Sequence, residues 1–218
     1  MLLISALQRE LPPQSGPLRE VRMIAGGVGR RRAEAAAADA IGWLRPRRVV
    51  SIGYGGGLDS ALTAGDVVSA HAVLAPDGEQ FDAEPPGEPA ALLATVDAPL
   101  LSAADKAALR ERTGAAVVDM EAAGVAAACA EAGVPFAAVK VVTDAADDDL
   151  PAGLEPFLRY AAGEGSSLGC AGALLRRPTL IGDLIRLART SKRCSANLAA
   201  SLTAQFAATE GNAPSGRG

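Results

Sequence analysis

Short apolar runs recur through the first two thirds of the chain, and most of them hand over to a glycine-rich stretch or a carboxylate. Met1–Leu7, Arg22–Ala25, Arg48–Ile52, Asp66–Ala70, Leu92–Val96, Ala116–Val118 and Phe136–Val142 read as strands. Between them lie segments of helical composition: the alanine-rich Arg31–Leu44, Ala103–Thr113 with a stop at Thr113-Gly114, and Glu121–Ala132 ended by Gly133. Strands and helices that alternate in this way bury both faces of a sheet, so the pattern predicts an α/β fold. Residues 76–90, rich in Pro, Gly, Asp and Glu, read as a loop. With 218 residues the chain is long enough for one domain with a sizeable core, predicted over 1–210, and the small polar stretch 211–218 is expected to be a frayed tail.

The longest helical pattern is 179–206, within a basic C-terminal segment 174–206. Leu180, Leu184, Leu187, Cys194, Leu198 and Leu202 recur at three- and four-residue steps, with Ser191 in the gap, while Arg186, Arg189, Lys192 and Arg193 take the other face. The plainer reading is a surface helix packed on the body; the sharper one adds contact with an anionic membrane surface. The charge distribution gives the sharper reading its motive. The net charge is −4, but residues 1–50 carry nine basic and four acidic side chains, 51–165 five and nineteen, and 166–218 seven and two. One histidine, one Trp, two Tyr and four Phe leave too few stacking groups for a nucleic-acid binder. No uncharged apolar run reaches the length of a membrane span. Cys129, Cys170 and Cys194 lie far apart without a CxxC or companion histidines, so neither a disulfide framework nor a metal site is expected, and a reducing cytoplasm is the expected compartment.

In open α/β sheets ligands bind beyond the carboxyl ends of strands. Glu10, Glu121 and Asp144 stand at or just after such ends, and Gly26–Gly29 and Gly53–Gly57 read as glycine turns at two more. Neither turn has the lysine and hydroxyl of a P-loop or the spacing of a dinucleotide fingerprint. Taken singly, each carboxylate has an ordinary alternative: Glu10 as a solvated turn residue, Glu121 as a helix N-terminal charge, Asp144 as a helix cap.

Five segments in order change that balance. Ser5–Leu11, Ala25–Ala33, Ser51–Val68, Val118–Ala123 and Val139–Asp147, with the Gly-Gly-Leu…Gly-Asp-Val block, the Asp-Met-Glu-Ala block and a strand ending in Thr143-Asp144, resemble the nucleoside phosphorylase family on its nucleosidase side. Further along, Asp105-Lys106 before Thr113-Gly114-Ala115, Leu150-Pro151 and Leu174–Pro178 before the basic helix are similar to the hopanoid-associated branch. The resemblance implies a three-layer α/β/α architecture with a central mixed sheet, a homodimer, and cleavage of the N-glycosidic bond of an adenine nucleoside without metal or organic cofactor. In the hopanoid-associated branch that substrate is the lipid adenosylhopane.

By the same resemblance Asp144 is the acid that protonates the leaving purine, positioned by Thr143. Glu121 binds ribose hydroxyls with Met120 against the sugar, and Glu10 orients or deprotonates the attacking water. Tyr54, Gly55, Gly56 and Leu100 line the site. Burial and a nearby Glu10 or Glu121 are expected to favour the protonated form of Asp144. The chain departs from the family at several points. Tyr54 replaces a serine in the glycine stretch, Pro99 stands where an aromatic usually meets the base, and Ser51 takes the position of a phosphate-binding arginine. The last favours water as nucleophile, while Arg30–Arg32 keep an anion site in play. The alternatives are a methylthioadenosine/adenosylhomocysteine nucleosidase, a purine nucleoside phosphorylase, and a catalytically silent nucleoside- or lipid-binding module.

Overall fold

The computed structural model describes residues 1–87, 90–151, 153–161, 163 and 165–211. Eight strands form one mixed sheet: β1 Leu2–Ser5, β2 Arg22–Ala25, β3 Val49–Gly57, β4 Val67–Leu74, β5 Gln80–Asp82, β6 Ala90–Thr95, β7 Val117–Asp119 and β8 Phe136–Asp144. β3, β8, β4, β6 and β7 pair in succession and β7 returns to β3, so these five strands close a ring, from which β1 and β2 extend on one side and β5 on another. β2, β1, β3 and β8 run parallel, which brings the carboxyl ends of β1, β3 and β8 to one edge. β7 enters antiparallel to β3, with Gly56 opposite Val118, and so points Asp119 and the residues after it back along β3.

Helices cover the sheet on both faces. α1 (Arg30–Leu44) and α3 (Ala122–Ala132) pack together on one side, where Ala33, Ala37 and Ile41 meet Ala122, Ala126 and Cys129 over the strand valines. Small side chains let these two helices approach closely. On the other face α6 (Leu180–Gly211) lays Cys194, Leu198, Leu202 and Phe206 against Leu3, Val50, Ile52, Val139 and Val141. Each fully buried leucine of that stripe contributes about 1.5–3 kcal/mol, so the predicted periodicity of 179–206 is the docking surface of α6. α2 (Ala103–Thr113) closes a third cluster through Leu109.

Three local expectations are corrected. Gly53–Gly57 is not a turn but the second half of β3. The strand continues there because glycine alone fits: Gly53 has φ +142° and a Cβ on it would stand 2.8 Å from Glu10 Oε2, and a Cβ on Gly55 would meet Val117 Cγ1 at 2.7 Å. Residues 76–90 are not all loop, since β5 pairs antiparallel with β4 and Ala90 opens β6; residues 88 and 89 lie outside the described set. Two further helices, α4 (Glu155–Ala161) and α5 (Ser167–Arg176), precede α6. The expected tail begins one residue too early, because Gly211 still belongs to α6, and 212–218 lie outside the described residues.

Candidate active site

Beyond the carboxyl edge of β1, β3 and β8 opens a cleft of about 1080 Å³. Among its lining residues are all nine singled out from the sequence: Glu10, Tyr54, Gly55, Gly56, Leu100, Met120, Glu121, Thr143 and Asp144. The three carboxylates do not form one cluster. They stand in two groups, with the Gly55–Gly56 backbone in the wall between.

The first group is built around Lys140, a lysine inside the otherwise apolar run Phe136–Val142 of β8 and 2 % exposed. Its Nζ lies 2.8 Å from Asp119 Oδ2 and donates to Ser51 Oγ at 3.3 Å. Asp119 is itself fully engaged. Oδ1 accepts from Thr95 Oγ1 at 2.7 Å and Oδ2 from the Ala122 N–H at 2.9 Å, which makes Asp119, not Glu121, the residue that caps α3. Glu121 Oε1 instead accepts from the Gly29 N–H at 2.9 Å, tying the Gly26–Gly29 turn to the site. Glu10 is buried in a short 3₁₀ turn after β1, where the Ala6 and Leu7 N–H groups donate to its Oε2 at 3.1 and 3.2 Å. It is therefore not a solvated turn residue.

Three carboxylates thus share one ammonium group. Burial pushes Glu121 up to about 7, with the Asp119 charge adding to the rise and Lys140 and the Gly29 N–H opposing it. Burial also raises Glu10, against Lys140 and the two backbone donors. Burial alone would lower Lys140, but Asp119, Glu121 and Glu10 together hold it above the ordinary lysine value.

The Glu121 shift carries a stability consequence. Between 4.5, its ordinary value, and about 7 the folded chain binds a proton that the unfolded chain has lost, so this group's contribution to stability falls as pH rises across that window. Glutamine keeps an acceptor for Gly29 and never ionises. Glu121→Gln is expected to melt at a higher temperature than the parent at pH 8, by up to on the order of 3 kcal/mol in stability, and to match it near pH 4.5. Thermal melts at the two pH values check this, and an equal offset at both would remove the assigned cause.

The second group surrounds Asp144 at the end of β8. Thr143 Oγ1 donates to Asp144 Oδ1 at 2.7 Å and also lies 3.2 Å from Gly55 O. Lys106 of α2, 1 % exposed, places Nζ 2.5 Å from Asp144 Oδ2. The charged group touching Asp144 is therefore a lysine, which corrects the expectation that Glu10 or Glu121 would be its electrostatic neighbour. Asp144 caps no helix, since Ala145–Asp148 is a turn in which the Ala145 N–H donates to Asp148 Oδ2.

The remaining wall comes from α6 and from the segment around α4, which the sequence left unread. Leu154, Phe157, Leu158 and Tyr160 of α4 and the segment before it face Leu184, Leu187 and Ala188 of α6 across the cleft. The spacing 154, 157, 158 is a helical apolar stripe and was the available signal. Phe157 and Tyr160 bring aromatic rings to the cleft, which Pro99 also lines. Tyr54 fastens α6 over this wall: its hydroxyl lies 2.7 Å from Ser195 Oγ and 3.3 Å from the Ser191 carbonyl. Arg30 lies near two carboxylates, Asp77 at 3.4 Å and Asp97 at 3.6 Å, so its charge is already balanced. Among the described residues no group of three His, Cys, Asp or Glu side chains is arranged to hold a metal ion, and no helix is long and apolar enough to cross a membrane.

Comparison with known proteins gives this geometry its relatives. The family model described as Phosphorylase superfamily matches residues 13–93 and 89–162. A 5'-methylthioadenosine/S-adenosylhomocysteine nucleosidase from Marinomonas sp. (strain MWYL1) is 29% identical over 185 residues, covering 69% of this chain and 78% of that protein. The structure of a nucleosidase of the same description from Colwellia psychrerythraea 34H, in complex with adenine, aligns with TM-score 0.60 and 23% identity over 79% of this chain and 94% of its own. The S. pneumoniae nucleosidase with a transition-state inhibitor aligns with TM-score 0.69 and 15% identity over 95% of this chain and 98% of its own.

Proposed function

The chain belongs to the phosphorylase superfamily, and on that premise we propose that it is a nucleosidase that hydrolyses the N-glycosidic bond of an adenine nucleoside. The observation that carries this reading is the pairing of two unlike groups across one cleft. Glu10, Asp119 and Glu121 around a single Lys140 leave an excess of negative charge where a ribosyl cation would develop, and Asp144 stands apart where a leaving base would need a proton. In this mechanism the C1′–N9 bond breaks with its electron pair moving to the purine, Asp144 protonates the imidazole-side nitrogen, and water attacks C1′ while Glu10 takes its proton. Glu121, whose carboxyl is pushed up to about 7 by burial, holds the ribose hydroxyls, and Met120 packs against the sugar.

Water rather than phosphate fits the nucleophile's place. Ser51 is buried beneath it and bonded to Lys140, Lys140 is paired with Asp119, and Arg30 lies near Asp77 and Asp97. A phosphate dianion would meet the Glu10 and Glu121 carboxylates there, and Arg9, which lines the cleft beside Glu10, is the cation it would have to recruit.

The proposed substrate is adenosylhopane, an adenine nucleoside whose 5′ side carries a large apolar skeleton. The cleft is at the upper end of small-molecule sites, which run to roughly 1,000 Å³, and its outer wall is apolar, from Leu154, Phe157 and Leu158 to Leu184, Leu187 and Ala188. Ile181 and Ile185 continue that surface into solvent, and exposed Arg186, Arg189 and Lys192 follow along α6, so the mouth suits a lipid presented at an anionic headgroup layer. The name shared by the relatives favours methylthioadenosine or adenosylhomocysteine as the second reading.

The test is adenine release from adenosylhopane in anionic vesicles, from methylthioadenosine and from adenosylhomocysteine. Each is run with and without phosphate, with mass analysis of the ribosyl product. Phosphate-independent release, fastest from the lipid, is expected. Release from the small nucleosides alone would replace the substrate, a ribosyl phosphate product would replace the nucleophile, and no release from any of them would end the nucleosidase reading.

A further inference from the structure

We infer that Lys106 positions Asp144 and stores the proton that Asp144 passes to the leaving base; the inference rests on the nucleosidase reading above. The lysine's three N–H donors meet three acceptors: Asp144 Oδ2 at 2.5 Å, Ala145 O at 2.7 Å and Asp148 O at 3.0 Å. Anchoring the turn after β8 does not by itself require this ammonium group. That turn is already fastened to the start of α2 by the Ala103 N–H donating to Asp149 Oδ1 at 2.8 Å and the Leu150 N–H donating to Leu101 O at 2.8 Å. What Lys106 alone supplies is a positive, proton-bearing group on Asp144, within the lining of the cleft. Taking a lysine head out of water costs several kcal/mol, and at the same face of α2 Leu109 fills its place in the core with an apolar side chain.

The other groups around the pair are occupied. Thr143 Oγ1 donates to Asp144 Oδ1 from β8, the Asp148 and Asp149 carboxylates accept backbone N–H groups of Ala145 and Ala103, and Asp105 is bonded to Ser102 at the start of α2. From α6 the Cys194 thiol donates to Val142 O. Lys106 is thus the proton carrier in contact with the proposed acid. As the C1′–N9 bond breaks, a proton passes from Lys106 Nζ to Asp144 Oδ2 while Asp144 delivers one to the purine nitrogen, so that Lys106 becomes a neutral amine and Asp144 ends as the carboxylate it began as. Once the products leave, solvent returns a proton to the amine. The proton taken from the attacking water by Glu10 goes to solvent, so the net change is nucleoside plus water to adenine plus the free sugar.

Three variants of the full chain test this on the best substrate found above: Lys106→Met, Lys106→Arg and Lys106→Ala. Lys106→Met is expected to lower kcat about a hundredfold, within the usual range for proton transfer by a positioned group, with KM little changed and the alkaline limb of the kcat–pH profile moved to lower pH. Arginine keeps the charge but does not give up its proton, so Lys106→Arg is expected to stay as slow as the methionine variant. Added ethylamine should restore Lys106→Ala in proportion to its concentration. A parent-like kcat in Lys106→Arg, an unchanged pH profile in Lys106→Met, or no amine rescue in a Lys106→Ala variant that melts like the parent would each overturn the proton store. A parent protein that releases no adenine from any nucleoside takes down the nucleosidase reading and this inference together; an active parent with an unchanged Lys106→Met profile removes this inference alone.

Discussion

Asp144→Asn is expected to slow adenine release by about a thousandfold while the melting temperature moves only a few degrees. Asparagine has the same outline, and its carbonyl oxygen still accepts from Thr143 or Lys106, which hold the two carboxylate oxygens at 2.7 and 2.5 Å. What it lacks is a transferable proton at the purine, and general acid catalysis is typically worth 10²–10⁴-fold. A control separates chemistry from damage. A ribosyl substrate whose leaving group departs without protonation, such as a 4-nitrophenyl riboside, needs no acid. On that substrate Asp144→Asn should run within a few fold of the parent. Equal loss on both substrates would mean that Asp144 shapes the cleft and is not the acid.

That prediction could be framed from the sequence because Thr143-Asp144 ends a strongly apolar strand, and strand ends in an α/β sheet are where ligands meet the chain. Glu10 and Glu121 were legible for the same reason. The groups that set their electrostatics were not. Lys106 and Asp144 are 38 residues apart and meet only because the turn after β8 folds onto α2. Asp119 sits two residues before Glu121 in the motif, yet its side chain turns inward to Lys140 and α3 while Glu121 reaches Gly29. Lys140 was in plain view as one charge inside Phe136–Val142, and an unpaired charge in a buried strand cannot stand; its partners, however, lie on other elements. Gly53–Gly57 was misread for a related reason. Glycines signal turns when only local geometry is considered, whereas here they answer to side chains from Glu10 and Val117 pressing on a continuous strand. The apolar wall of α4 escaped because it is short and follows the Asp- and Pro-containing stretch 144–151, where turn signals dominate.

The lysine inside that strand also marks the largest expected effect on stability. Lys140→Met leaves Glu10, Asp119 and Glu121 buried with no counter-charge, and removing one partner of a buried ion pair typically costs about 3–5 kcal/mol. For a chain of this size such a loss lowers the melting temperature by roughly 6–20 °C, against a total stability of about 5–15 kcal/mol. The loss must depend on pH in a defined sense. Carboxylates without their cation fold most readily when protonated, so Lys140→Met should approach the parent near pH 5 and fall away from it as pH rises towards 8. Adding Asp119→Asn, which removes the carboxylate 2.8 Å from the lysine, should recover part of the loss at pH 8, giving a coupling between the two sites that distant residues do not show. Melts of the parent, both single variants and the double variant at the two pH values measure every term. If Lys140→Met melts like the parent at pH 8, the three carboxylates do not share one ammonium, and the negative pole on which the ribosyl cation depends is absent.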